Sequence, residues 1–212
     1  MKSSFAPYAV GFIAILIWGG SPAATQLAGA SIDRINVGML RTVIAGLILL
    51  PIGLLLKLPL PTTREGWIEL GVSSVSGFIG FTILFSFGLN FTSTTHAALI
   101  LTAAPIFTGF IGFVIDKSWP VWIWWLGAAV ALIGETILIG YRSPVAVGTA
   151  SLQGDLIILA AVVFVSIGYV SGGRLASKIG TRSATAWGLS LAAIILLPVL
   201  ATRMDFNQPI IT

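Results

Sequence analysis

The sequence predicts an all-α integral membrane protein that crosses the bilayer about seven times. Three observations carry that expectation. Only 8% of the residues are charged against 57% hydrophobic, whereas soluble domains carry about 25% charged residues, so the chain cannot clothe a water-facing fold. A mean hydropathy of +1.03 puts the apolar surplus on the outside as well as in the core. The apolar residues also fall into windows of about 20, the length that crosses a hydrocarbon core. The lipid bilayer is therefore the expected solvent and first partner.

Charges, Gly/Pro pairs and polar clusters bound seven such windows: Pro7 to Leu27, Ile35 to Leu56, Trp67 to Leu89, Thr95 to Ile115, Pro120 to Tyr141, Leu152 to Gly173 and Ala184 to Thr202. Leu70 to Ile115 contains no Asp, Glu, Lys or Arg, yet it is about twice the length of one span, so it must turn back once. The polar run Asn90 to Thr95 is where that turn can lie, because loop backbone is not tolerated at lipid-exposed depth. Lys2, an apolar run and Ala28-Gly29-Ala30 resemble a signal peptide, but the run is too long and is broken by Gly19-Gly20-Ser21-Pro22, so span 1 is expected to remain.

Orientation follows from Lys and Arg in the short loops. With the N-terminus inside, seven basic residues (Lys2, Lys57, Arg64, Lys117, Arg174, Lys178, Arg182) face the cytoplasm and three (Arg34, Arg142, Arg203) face out. Trp67, Trp119, Trp122, Trp124, Trp125 and Trp187 fall at predicted inner helix ends, as an aromatic belt would. An odd number of spans then places the C-terminus outside.

Composition also excludes several classes. The net charge of +4 is spread singly between apolar runs, not clustered on a face as nucleic-acid binding requires. The chain has no cysteine, which rules out disulfide scaffolds, thiolate metal sites and cysteine nucleophiles. No metal or cofactor is expected.

Ile48-Leu49-Leu50-Pro51 of span 2 recurs as Ile195-Leu196-Leu197-Pro198 of span 7, an offset of 198 − 51 = 147. Span 1 aligns on span 6 at nearly the same offset, with Ala14 on Ala160 and Trp18 on Phe164. A five-span repeat forces its second copy to enter the membrane upside down, the inverted symmetry that secondary transporters use to build two states around a central site.

Trp18-Gly19, Arg41, the run Thr102-Ala103-Ala104-Pro105-Ile106-Phe107-Thr108 and Gly154-Asp155 together resemble the EamA family of the drug/metabolite transporter superfamily, over nearly the whole chain. The resemblance implies ten helices in two five-helix repeats, a cell-membrane location of the bacterial inner-membrane type, and export or exchange of small metabolites such as amino acids. Residues 1–141 would form the first repeat and 142–212 the first two helices of the second, cut short after Thr212. Asp116 departs from the family, which often has Glu there. A chain so shortened is expected to insert but not to complete a transport cycle alone, unless a homo-oligomer supplies the missing wall.

Ionisable groups within spans are costly and are functional candidates by default. Arg41 and Glu135 lie about 10 and 9 Å in from the outer ends of spans 2 and 5. Equal depth suits either a charged vestibule for a zwitterionic or anionic substrate or a structural ion pair. His96 and Asp155 open spans 4 and 6 and could exchange protons, although capping and simple solvation explain such positions as well. Pro22 and Pro105 each remove a backbone hydrogen bond inside a span, where transporters place substrates. Trp18 stands away from either interface and could line a cavity. Gly168 and Gly172, with Ser73, Gly77 and Gly80, provide small faces for close helix packing.

Rival readings are weak or incomplete. An intramembrane hydrolase would need a nucleophile and base, or paired carboxylates, and the single histidine and missing G-x-S-x-G argue against one. A seven-helix retinal protein would need a Lys in span 7. A non-transporting membrane subunit or a gene fragment remains the main alternative to a transporter.

Overall fold

The computed structural model describes residues 6–140 and 151–203, which form helices joined by short turns. Six helices are long and apolar enough to cross a membrane: α1 (Tyr8–Ala28), α2 (Arg34–Leu55), α3 (Arg64–Gly88), α4 (Thr94–Asp116), α6 (Leu152–Ile179) and α7 (Thr181–Arg203). Between α4 and α6 lies α5 (Trp122–Gly140), of 19 residues. The all-α membrane architecture is as expected, with no strand among the described residues.

The starts of these helices are written in short polar residues. Asp33 accepts from the Ile35 and Asn36 N–H groups to start α2, Thr63 accepts from Gly66 at α3, Ser93 from His96 at α4 and Ser151 from Gly154 at α6. Each satisfies one or two of the N–H groups that a helix leaves without internal partners. At the other end of the hairpins Lys57 and Lys117 adopt the left-handed conformation, which closes a helix and reverses the chain.

Two expectations about boundaries change. α6 runs on to Ile179, six residues beyond the expected Gly173, so Arg174 and Lys178 sit on the helix and not in a loop. Trp187, assigned to the aromatic belt, is instead buried and donates from Nε1 to the Pro59 carbonyl at 3.1 Å. Its indole needs that partner because it is enclosed.

α6 is the centre of the bundle. Its Ile158, Ala161 and Val162 are fully buried against Phe81, Phe85 and Leu89 of α3 and Ala97, Ile100 and Leu101 of α4. Glycine sets the closest approach: a Cβ on Gly168 would stand 2.3 Å from the Gly77 Cα, so the backbones of α3 and α6 touch directly. Ser73 to Gly80, around that crossing, winds as a π-helix, a form that often marks functional sites.

α2 and α7 pack along their lengths with opposite directions. Asn36 meets Arg203, Gly46 meets Ser190, and Gly53 meets the Trp187 ring.

Candidate functional site

Two of the spanning helices are broken, and the breaks lie beside one cavity. α1 divides into Ala6–Gly19 and Ser21–Ala28, here α1a and α1b, and α4 into Thr94–Leu101 and Ala104–Asp116, here α4a and α4b. Pro22 and Pro105 lie inside their spans, as expected from sequence, and each occupies the first turn of the second half. There a missing N–H costs the new helix nothing. The bonds are lost upstream: Pro22 has no N–H for the Trp18 carbonyl and Pro105 none for that of Leu101.

Trp18, Leu101, Thr102, Pro105, Thr108 and Tyr169 line a cavity of about 600 Å³, within the range of small-molecule sites. Its wall is mainly apolar, with hydroxyls at Thr102, Thr108 and Tyr169. The Thr108 hydroxyl is buried with no hydrogen-bond partner among the described residues. Tyr169 also borders a second cavity of about 690 Å³ with Ser73, Gly77, Gly168 and Gly172.

Sequence reasoning pointed to Trp18 and Pro105 but missed Tyr169 and Thr108. One of three tyrosines in the chain, Tyr169 sits inside a mainly apolar span, and its phenol at that depth was the available signal.

His96 and Asp155, considered separately from sequence, meet in the structure. His96 Nδ1 lies 3.1 Å from Asp155 Oδ2, with the side chains 15% and 19% exposed. The Thr92 hydroxyl donates to the other carboxylate oxygen. Neither residue is a cap, since Ser93 and Ser151 do that work.

Arg41 donates to the Ser21 hydroxyl of α1b. The Glu135 side chain lies outside the described residues, so the expected Arg41–Glu135 pair has no description here. At the opposite end of the bundle, Arg174 and Lys178 of α6 share Glu69 at 3.4 and 2.9 Å. Arg174 also reaches Asp116 at 3.0 Å and Lys178 reaches Glu65 at 3.5 Å. These contacts tie α6 to α3 and α4.

Known proteins place this arrangement. Residues 6–140 match the EamA-like transporter family. The chain is 29% identical over 189 residues to the uncharacterized transporter YdeK of Bacillus subtilis (strain 168), covering 89% of this chain and 64% of that protein. It is 29% identical over 175 residues to the uncharacterized transporter YdfC of the same organism, covering 80% and 55%. An uncharacterized transporter of Archaeoglobus fulgidus is 22% identical over 202 residues, covering 93% and 68%. The chain thus spans less than two thirds of the length of the two Bacillus relatives. No solved structure matches. Apolar helices of spanning length, two of them broken around a cavity, and a family match over most of the chain lead to one conclusion: this is a multi-pass membrane protein that belongs to the EamA-like transporter family.

Proposed function

We propose that the transporter is secondary-active and exports or exchanges small metabolites such as amino acids, with the cavity between the two broken helices as its binding site. The observation that carries this reading is the junction of Trp18, Pro105, Thr108 and Tyr169 around about 600 Å³, because broken helices near the midplane are where such proteins hold substrate. Freed carbonyls and an unpartnered hydroxyl suit an ammonium or hydroxyl donor, and the aromatic rings suit an apolar side chain.

The proposal includes two inverted repeats, residues 1–141 and then residues from 142 onward. Support comes from α2 and α7, which the offset of 147 pairs. Gly46 and its equivalent Ala193 (46 + 147) stand face to face, a Cβ on Gly46 falling 2.4 Å from that of Ala193. An in-plane two-fold axis between the repeats would bring just such equivalent positions together.

The chain has no cysteine, so Thr102→Cys places a single thiol on the cavity wall. In proteoliposomes, amino acids offered one at a time should slow its labelling by a thiol reagent saturably, by twofold or more for the true substrate. Labelling that no amino acid alters overturns the amino-acid reading.

A further inference from the structure

Two serines release two ionisable side chains from helix capping. Ser93 Oγ accepts from the His96 N–H and Ser151 Oγ from the Gly154 N–H, both at 3.1 Å. His96 and Asp155, each in the first turn of its helix, are left free to face one another at 3.1 Å. An ionised carboxylate only accepts, so Nδ1 carries the bonding proton, and Thr92 engages the second oxygen.

The backbone beneath them is equally close. Ser151 donates to the Phe91 carbonyl from its N–H at 3.2 Å and its hydroxyl at 2.6 Å. A Cβ on Gly154 would lie 2.6 Å from the Phe91 carbonyl carbon. The start of α6 thus rests on the α3–α4 turn, and the His96–Asp155 contact fastens α4a to α6 above it.

α4a is short, eight residues from Thr94 to Leu101. Thr102, on the cavity wall, lies six residues from His96, about 9 Å along the axis. His96 and the Thr102 wall therefore belong to one short segment that ends at the break.

Among the described residues, the other charges around the pair are engaged or distant. Arg34 of α2 donates to Asn90 at 2.7 Å, Arg203 of α7 meets Asp33 and Asn36, and Arg41 holds Ser21. Helix α1b, packed on α4a, bears no charge. Glu135 is on α5, also packed on α4a, its side chain being outside the described residues. Glu65, Glu69, Asp116, Arg174 and Lys178 form the network at the opposite end, beside Lys57, Arg64, Lys117 and Arg182.

We propose that His96 and Asp155 form a proton-binding site that latches α4a to α6. A proton from water adds to Nε2 while Nδ1–H keeps donating to Asp155, converting a hydrogen bond between neutral imidazole and carboxylate into an imidazolium–carboxylate ion pair, which Coulomb attraction strengthens. Loss of that proton loosens α4a from α6.

Spin labels on Thr95→Cys and Gln153→Cys report the α4a–α6 separation in the full chain by pulsed EPR. Across a pH titration in which the protein stays folded, the distance distribution should shift along a single-proton curve. That shift should vanish in both His96→Gln and Asp155→Asn. A constant distance, or a shift that survives His96→Gln, overturns the proposal. Because His96 is the sole histidine, imidazole ¹⁵N NMR on the unsubstituted chain gives a readout that no variant's folding can spoil: a ring that gains and loses no proton in this range also refutes it.

Discussion

Gly168→Ala should be the most damaging single methyl in α6. The new Cβ would lie 2.3 Å from the Gly77 Cα and 2.7 Å from its nitrogen, whereas carbon atoms rest at about 3.5 to 4.0 Å. The helices must therefore part locally by about 1.5 Å, and backbone cannot step aside as a side chain can. Overpacking of this kind costs about 1 to 3 kcal/mol. Gly173→Ala is the internal control, five residues on in the same helix, because its Cβ meets nothing within 4 Å. It should gain the helix preference of Ala over Gly, about 0.8 to 1 kcal/mol in water-exposed helices. At roughly 2 to 4 °C per kcal/mol for a chain of this size, the two variants should differ by about 5 °C or more in unfolding midpoint. Tryptophan fluorescence of the purified protein in detergent during heating measures this directly. Gly77→Ala, 3.1 Å from the Gly168 Cα, should fall between them. Equal midpoints for Gly168→Ala and Gly173→Ala would refute the backbone-contact argument.

Three further outcomes are expected. Glu69 is 12% exposed and shared by two cations, while Glu65 is 83% exposed; Glu69→Gln should cost about 1.5 to 3 kcal/mol in the same assay and Glu65→Gln about 0 to 1, and equal losses would show that burial does not matter there. Cysteines at Lys2 and Asn207 read topology in intact cells: with the N-terminus inside, an impermeant thiol reagent labels position 207 and spares position 2, and the reverse pattern rejects the orientation. Arg41→Ala should be non-additive with Ser21→Ala by about 1 kcal/mol; the same cycle with Glu135→Ala tests the pairing expected from depth, which strictly additive losses would exclude.

The spans were legible because a bilayer imposes a fixed apolar length, and a run of residues either meets it or does not. Their starts were legible in part: Ser93 and Ser151 are ordinary capping residues in ordinary positions. The end of α6 was misplaced because Arg174 and Lys178 resemble loop charges. They stay helical because Glu69, Glu65 and Asp116 on two neighbouring helices receive them, and none of that is local. Trp187 misled for the same reason, since a tryptophan near a span end can face lipid or pack inward, and only the Pro59 carbonyl on another turn decides.

Sequence by itself determined the solvent, the helical class, the approximate spans and the two proline breaks, all properties of short windows read against the bilayer's thickness and the missing proline N–H. What tertiary structure alone decided is which distant groups meet. His96 and Asp155 are 59 residues apart in the chain, and each in isolation looks like a capping or solvated residue; the backbone contact of Gly154 on Phe91 brings them together. Tyr169 is a cavity residue because α6 packs where residues of α1, α3 and α4 complete the walls around it. Helix–helix contact depends on where two surfaces cross, and that is set by the whole bundle together.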